Sequence, residues 1–242
     1  MKIALAQTWP VKGDLLINIG AHVHYVHQAS EQGADIIFFS ELSLTAYEPQ
    51  LAHVLATSQE NPHFDILQEE ADRYDISICV GVPVKTEEGV WIGMVIFSPN
   101  APRQTYGKKY LHPDEEAYFV PGKTITPLLV SGKRIAPAIC YELSCAAHVD
   151  NAIKEGADVY VASVAKTTEG NERAYKDLSA ISKKNGIPAL LVNCVGEASG
   201  SMKVGGSAVW DASGKLLDYM GDLDEGLLLY DMETEETQIV LF

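Results

Sequence analysis

The sequence is short of positive charge. Lys and Arg number 18 against 33 Asp and Glu, a formal net charge of −15 over 242 residues. Nucleic acids and anionic membranes are met by cationic faces, so neither is expected as a primary partner. Long hydrophobic runs are also missing. Runs such as Ile36–Phe39, Ala189–Val192 and Leu227–Tyr230 fall far below the roughly 20 residues of a membrane helix. The opening MKIALAQTWP carries one Lys and no apolar signal stretch, so no secretory leader is expected. Cysteine is scarce. Cys79, Cys140, Cys145 and Cys194 form no CxxC pair and no Cys/His metal spacing, so they are read as reduced thiols of a cytoplasmic protein, one of them available for catalysis. No Pro/Ser-rich linker or low-complexity tract interrupts the chain, and a single domain over residues 1–242 is expected. Apolar residues at 47% and charged residues at 21% are ordinary globular usage, enough for a sizeable core.

What is present is an alternation of β and α patterns. Apolar runs at Lys2–Gln7, Asp35–Ser40, Ile135–Cys140, Asp158–Ser163 and Ile187–Cys194 read as buried strands. Ile76–Val84 and Val90–Ser98 read as a hairpin, and Leu128–Val130 pairs with Ile135–Cys140 through Ser131-Gly132. Helical spacing marks Asn18–Gln32, Phe64–Tyr74, Leu143–Glu155 and Asn171–Lys184. Ser207–Asp231 holds two or three further strands. EQGADIIFFSE (Glu31–Glu41) echoes KEGADVYVAS (Lys154–Ser163). The echo reads either as two independent glycine caps or as two similar α/β halves packed together.

In α/β folds functional side chains gather at the carboxyl ends of strands. Glu41 ends one run and Cys140 another, and between them Tyr106–Gly122 concentrates Lys, His, acidic and aromatic residues in a loop. A thiol near neutral pH is mostly protonated and needs a base to become a nucleophile, which a carboxylate supplies. An ammonium can hold the negative charge that develops on an attacked carbonyl. Glu, Lys and Cys together meet those three needs.

FFSELSLTAYEP around Glu41, YGKKYLHPDEEAYFVPG around Lys108 and IAPAICYELS around Cys140 resemble, in that order, the motifs of the carbon–nitrogen hydrolases of the nitrilase superfamily. LLVNCVG with Asn193 and GGSAVWDASGKLL extend the resemblance along the chain. It implies a four-layer α-β-β-α sandwich, commonly extended by a second subunit, so a homodimer or higher homo-oligomer is expected. It implies Glu41 as general base, Lys108 as transition-state stabiliser and Cys140 as nucleophile, with no metal or cofactor. Lys108 is preferred to Lys109 because Leu111 follows it by three. A second Glu of the loop is implied, Glu115 fitting best and Glu116 competing. The backbone N–H of Tyr141 would join the oxyanion site.

Tyr47, Tyr118, Tyr141, Glu142 and Val164 are candidate substrate contacts, with core packing or, for Glu142, structural support as the alternative. Lys166 follows the same strand end as Val164 and could meet a substrate carboxylate, or simply face solvent. His22, His24 and His27 lack partners for a metal site. Departures such as Ser40 before the Glu and Ser144-Cys145-Ala146 after the Cys motif fall on the substrate pocket. The expected function is thiol-dependent hydrolysis of a small linear amide or N-carbamoyl compound, with nitrilase, acyltransferase or a non-catalytic binding role as alternatives. A glutamine-hydrolysing role would require a synthetase partner domain.

Overall fold

The computed structural model describes residues 1–122 and 127–242. Its first strands are β1 (Lys2–Gln7), β2 (Ile36–Phe39), β3 (Ser77–Lys85), β4 (Val90–Phe97) and β5 (Gln104–Gly107). Helices α1 (Leu15–Glu31), α2 (Ala52–Leu55) and α3 (Asp65–Tyr74) lie among them. Then come β6 (Leu128–Val130), β7 (Lys133–Ile139), α4 (Ala146–Lys154), β8 (Val159–Ser163), α5 (Thr168–Asn185) and β9 (Ala189–Val192). The remaining strands are β10 (Gly196–Ala198), β11 (Ser201–Lys203), β12 (Ala208–Trp210), β13 (Leu216–Tyr219), β14 (Gly226–Asp231) and β15 (Thr237–Leu241).

Among the described residues these strands form two main sheets, ordered β15-β14-β1-β2-β3-β4-β5 and β13-β12-β9-β8-β7-β6. Parallel neighbours require crossovers, and helices provide them. α1 links β1 to β2, α4 links β7 to β8, and α5 links β8 to β9.

Strand alternation sorts the side chains into layers. Ile3 and Leu5 of β1, Ile135 and Ile139 of β7, and Val159 and Val161 of β8 meet in one core between the sheets. The alternate residues Ala4 and Ala6 face α1 and α3, while Ala136, Ala138, Tyr160 and Ala162 face α4 and α5. Both sheets are therefore buried on two faces, which is why their strands read as continuous apolar runs. The arrangement is the expected α-β-β-α sandwich. No helix among the described residues is long and apolar enough to cross a membrane.

The sequence echo has a structural counterpart. Asp35 bridges β2 to β1, its carboxylate accepting from the Lys2 N–H at 2.7 Å while its own N–H donates to the Lys2 carbonyl at 2.9 Å. Asp158 treats Arg134 identically, at 2.7 and 2.8 Å. A helix ending at Gly33 or Gly156 precedes each clasp.

Several elements differ from the sequence reading. Gln104–Gly107 pairs with β4, so the loop that begins at Tyr106 starts inside a strand. β7 stops at Ile139, and Cys140–Ser144 form a separate 3-10 turn before α4. β15 was hidden because its side chains are mostly exposed or half-buried and lack an apolar period.

Candidate active site

Glu41, Lys108 and Cys140 each sit just past the end of a strand: β2, β5 and β7 respectively. Ser163 Oγ at the end of β8 donates to the Phe39 carbonyl at 2.7 Å and ties the two sheets behind Glu41. The turn after Glu41 is clamped from below. Leu44 N–H donates to the Gly81 carbonyl at 2.9 Å, and Gly81 N–H donates to Ser43 Oγ at 3.1 Å. A Cβ at Gly81 would lie 2.3 Å from the Leu42 nitrogen and 2.6 Å from the Ser40 oxygen, both backbone atoms with no rotamer to yield. Gly81→Ala is expected to displace Glu41, lowering urea stability by about 3 kcal/mol and amide turnover with it.

Lys108 is fully buried. Its backbone is held at both ends, N–H to the Ile92 carbonyl at 2.9 Å and carbonyl from Gly122 N–H at 2.7 Å. Nζ donates to Glu41 Oε1 at 2.8 Å and to Glu115 Oε1 at 2.7 Å. An ammonium has three protons, so one remains uncommitted among the described residues. Burial alone would push this ammonium down, but Glu41, Cys140 and Glu115 outweigh it and hold its pKa above the usual value. Glu115 is fixed by Tyr47 OH on Oε1 at 2.9 Å and by His112 N–H on Oε2 at 2.8 Å. Glu116 is exposed, so Glu115 is the loop carboxylate at the site. Lys109 is likewise exposed, over the Tyr110 ring.

Burial raises the Glu41 carboxyl above its ordinary range, Lys108 opposes the rise and Glu115 adds to it. Glu41 Oε2 is buried and has no hydrogen-bond partner among the described residues. A buried acceptor without a donor is uncommon and points to work done there. Cys140 adopts φ 47°, the left-handed region that an L-residue enters only when its surroundings impose it. Burial and the neighbouring Glu41 push its thiol up to about 11, while Lys166 and Lys108 pull it down.

Two expected substrate contacts, Val164 and Glu142, are engaged by the protein itself. Val164 is fully buried on the helix side of its sheet, packed with Ala138, Leu143 and Leu178, because its neighbour Ser163 takes the inward-facing parity. Glu142 is also fully buried, and both its oxygens are occupied by protein donors. Oε1 accepts from Lys109 N–H at 2.7 Å, and Oε2 accepts from Ile139 N–H at 2.8 Å and Tyr106 OH at 2.5 Å. It orders the turn. Tyr47 belongs to the site through Glu115. Tyr141 stacks edge-on with His112, ring centres 5.1 Å apart. Tyr118 is half-buried against the inter-sheet core and its N–H donates to the Glu115 carbonyl at 2.9 Å.

Several supporting residues gave no signal in sequence. His148 accepts from Tyr160 OH at Nδ1, 2.9 Å, and meets Tyr106 OH through Nε2 at 3.0 Å, extending the Glu142 network. His22 packs on Phe39 with ring centres 3.8 Å apart and bonds the Asn18 carbonyl and Ser43 Oγ, so it serves the Glu41 turn and no metal. No cluster of metal-ligating side chains occurs among the described residues. Both nitrogens of His22 and of His148 meet a carbonyl or hydroxyl oxygen, partners that suit neutral imidazole.

Burial lowers the pKa of His22 to about 3 and that of His148 to about 4. Above pH 6.5 neither folded nor unfolded imidazoles bind protons, and their contribution is complete. Below it the unfolded chain takes protons that the folded chain refuses. Stability should therefore fall by about 1.4 kcal/mol per pH unit for each histidine, down to about pH 4 for His148. Urea midpoints between pH 6.5 and 4 measure the slope, and His148→Gln should make it shallower by one histidine's share.

Relatives share this architecture. An (R)-stereoselective amidase from a Pseudomonas species is 26% identical over 225 residues, covering 90% of this chain and 80% of its own length. The glutamine-dependent NAD(+) synthetase of Thermotoga maritima is 23% identical over 98% of this chain, which spans only 42% of that protein. Among solved structures, a cysteine-to-alanine variant of the amidase from Nesterenkonia sp. AN1 in complex with butyramide superposes with a TM-score of 0.86 at 26% identity, covering 97% of this chain and 92% of that one. Another variant of that amidase carries acrylamide added at the active-site cysteine, with a TM-score of 0.86 at 26% identity over 97% of this chain and 94% of that one. The carbon–nitrogen hydrolase family model matches residues 2–240, and the chain belongs to the carbon–nitrogen hydrolase family.

Proposed function

We propose that this protein hydrolyses the C–N bond of a small linear amide through a thioester on Cys140. The observation that carries the reading is the fully buried Lys108 ammonium bridging Glu41 and Glu115 beside a thiol on a left-handed turn. Glu41, with Oε2 unbonded, takes the thiol proton as sulfur attacks the carbonyl carbon. The third Lys108 proton and the Tyr141 N–H, in the first turn of the 3-10 segment that Cys140 begins, donate to the oxyanion. When the tetrahedral centre collapses the C–N bond breaks, and Glu41 returns its proton to the leaving ammonia. Water then enters, Glu41 takes a proton from it, and cleavage of the C–S bond releases a carboxylic acid and restores the thiol. Glu115 positions Lys108 and is itself held by Tyr47.

Amides are preferred because the Nesterenkonia amidase binds butyramide and the Pseudomonas relative is an amidase. The test is ammonia release from short amides, glutamine, N-carbamoyl amines and nitriles. Release from amides with none from nitriles is expected; release from nitriles alone would replace the reading with a nitrilase.

The reading extends to a single cytoplasmic domain over residues 1–242 that forms a homodimer. The four cysteines are free, as suits a reducing compartment. Self-association is supported by the edge strand β15, which leaves Ile239, Leu241 and Phe242 exposed. Light scattering should give twice the chain mass.

A further inference from the structure

Two ammonium groups beside the site have no carboxylate partner among the described residues. Lys166 lies three residues beyond Ser163, which pairs in register with Ile139, so it leaves its sheet at the same end as Cys140. Asn193 fixes its backbone, accepting from Lys166 N–H at 2.9 Å and donating to the Lys166 carbonyl at 3.2 Å. The stem lies over Gly170, where an added Cβ would sit 3.2 Å from the Lys166 Cβ. The half-buried ammonium makes no hydrogen bond or ion pair among the described residues, yet its charge reaches the Cys140 thiol.

Lys203 comes from the neighbouring segment, joined to the first where Val204 N–H donates to the Lys166 carbonyl at 3.2 Å. It is 5% exposed. Its Nζ donates to Ser201 Oγ at 2.7 Å and lies 5.5 Å from the centre of the Tyr47 ring, whose hydroxyl holds Glu115. A buried or half-buried cation without a counter-charge is costly. The sequence carries 33 acidic residues, and among the described residues none forms an ion pair with either lysine.

We infer that Lys166 and Lys203 form an anion subsite that receives a carboxylate of the substrate, so that the substrate class is the monoamides of short dicarboxylic acids. The inference rests on the amide-hydrolase reading for its chemistry and on the two unpartnered lysines for its specificity. The subsite selects among amides, and the trio Glu41, Lys108 and Cys140 performs the cleavage.

The experiment compares kcat/KM for succinamate and glutaramate with that for the neutral butyramide and valeramide. The charged-to-neutral ratio should be at least about 10 in the wild type, and Lys166→Met or Lys203→Met should lower it about 10-fold or more, the weight of one charge-assisted contact. The ratio is the quantity to read, because Lys166 also acts on the Cys140 thiol and its loss moves both rates. Lys166→Arg, which keeps the charge, should restore the preference. A wild-type ratio near one, or a ratio indifferent to both substitutions, overturns the subsite. Calorimetry of glutarate with Cys140→Ala protein, with and without Lys166→Met, separates the two readings. Glutarate binding that depends on Lys166, with no amide turned over by the wild type, would sink the hydrolase and leave the subsite. Turnover of valeramide with no glutarate binding would do the reverse.

Discussion

Cys140→Ala is expected to abolish amide turnover, by at least about 10⁴-fold, while the unfolding midpoint stays within error of the wild type. No other thiol can replace it. Cys79 and Cys194 are fully buried, and Cys145 is turned toward the Tyr141 carbonyl, Sγ to oxygen 3.5 Å. Alanine meets the same left-handed backbone that cysteine already occupies, so no new strain arises. The direct readout is intact mass. Wild-type enzyme quenched in acid during turnover should carry one acyl group, and the variant none. The pH profile follows from the same pair. The reactive form needs Glu41 ionised and the thiol proton available to it. Because burial raises Glu41, the acid limb should lie above the ordinary carboxylate range. Because the thiol is pushed up to about 11, activity should persist well into alkaline pH. The two limbs belong to the coupled pair and not to either residue alone. Turnover that survives in Cys140→Ala would end the thiol mechanism.

Lys108→Met should be more damaging to the molecule as a whole. It strands Glu41 and Glu115, both nearly inaccessible to solvent, without the cation between them. Removing one partner from a buried charge cluster costs about 3–5 kcal/mol. Loss of an oxyanion donor should reduce kcat a further 10²–10³-fold, at about the scale known for single donors. The stability cost should depend on pH with a definite sign. Without Lys108 the Glu41 pKa rises further above its unfolded value, so the variant gains on the wild type as pH falls and Glu41 takes a proton. Urea unfolding at pH 7 and pH 5 should therefore give a smaller difference at pH 5. An equal difference at both would mean that the two carboxylates do not depend on Lys108.

The layers of the fold were legible because both sheets are covered on two faces, which writes β1, β2, β7, β8 and β9 as apolar runs. That Glu41, Lys108 and Cys140 come together was legible because their chemistry is complementary and their motifs occur in family order. The choice between Glu115 and Glu116 was not written in composition. It depends on which side of one turn faces inward, and Tyr47 reveals that only through a contact 68 residues distant in sequence. Val164 packs on the helix side because the residue beyond a strand end inherits the strand's parity, and Ser163 has taken the inner face. His148, Asn193 and Lys203 owe their importance to partners far along the chain, such as Asn193 to Lys166, 27 residues apart. Local pattern carries no trace of such pairings.

Glu142 has a consequence for how the molecule tolerates motion. One carboxylate grips the N–H of Ile139, just before Cys140, and the N–H of Lys109, just after Lys108. Those two backbones belong to opposite sheets. Parts gauged from a common datum keep their spacing when the frame around them flexes, because their errors do not add. The sulfur-to-ammonium separation should accordingly survive breathing of the sandwich. Glu41 is held by a separate set of contacts, through Lys108, the Ser163–Phe39 bond and the Ser43–Gly81 clamp.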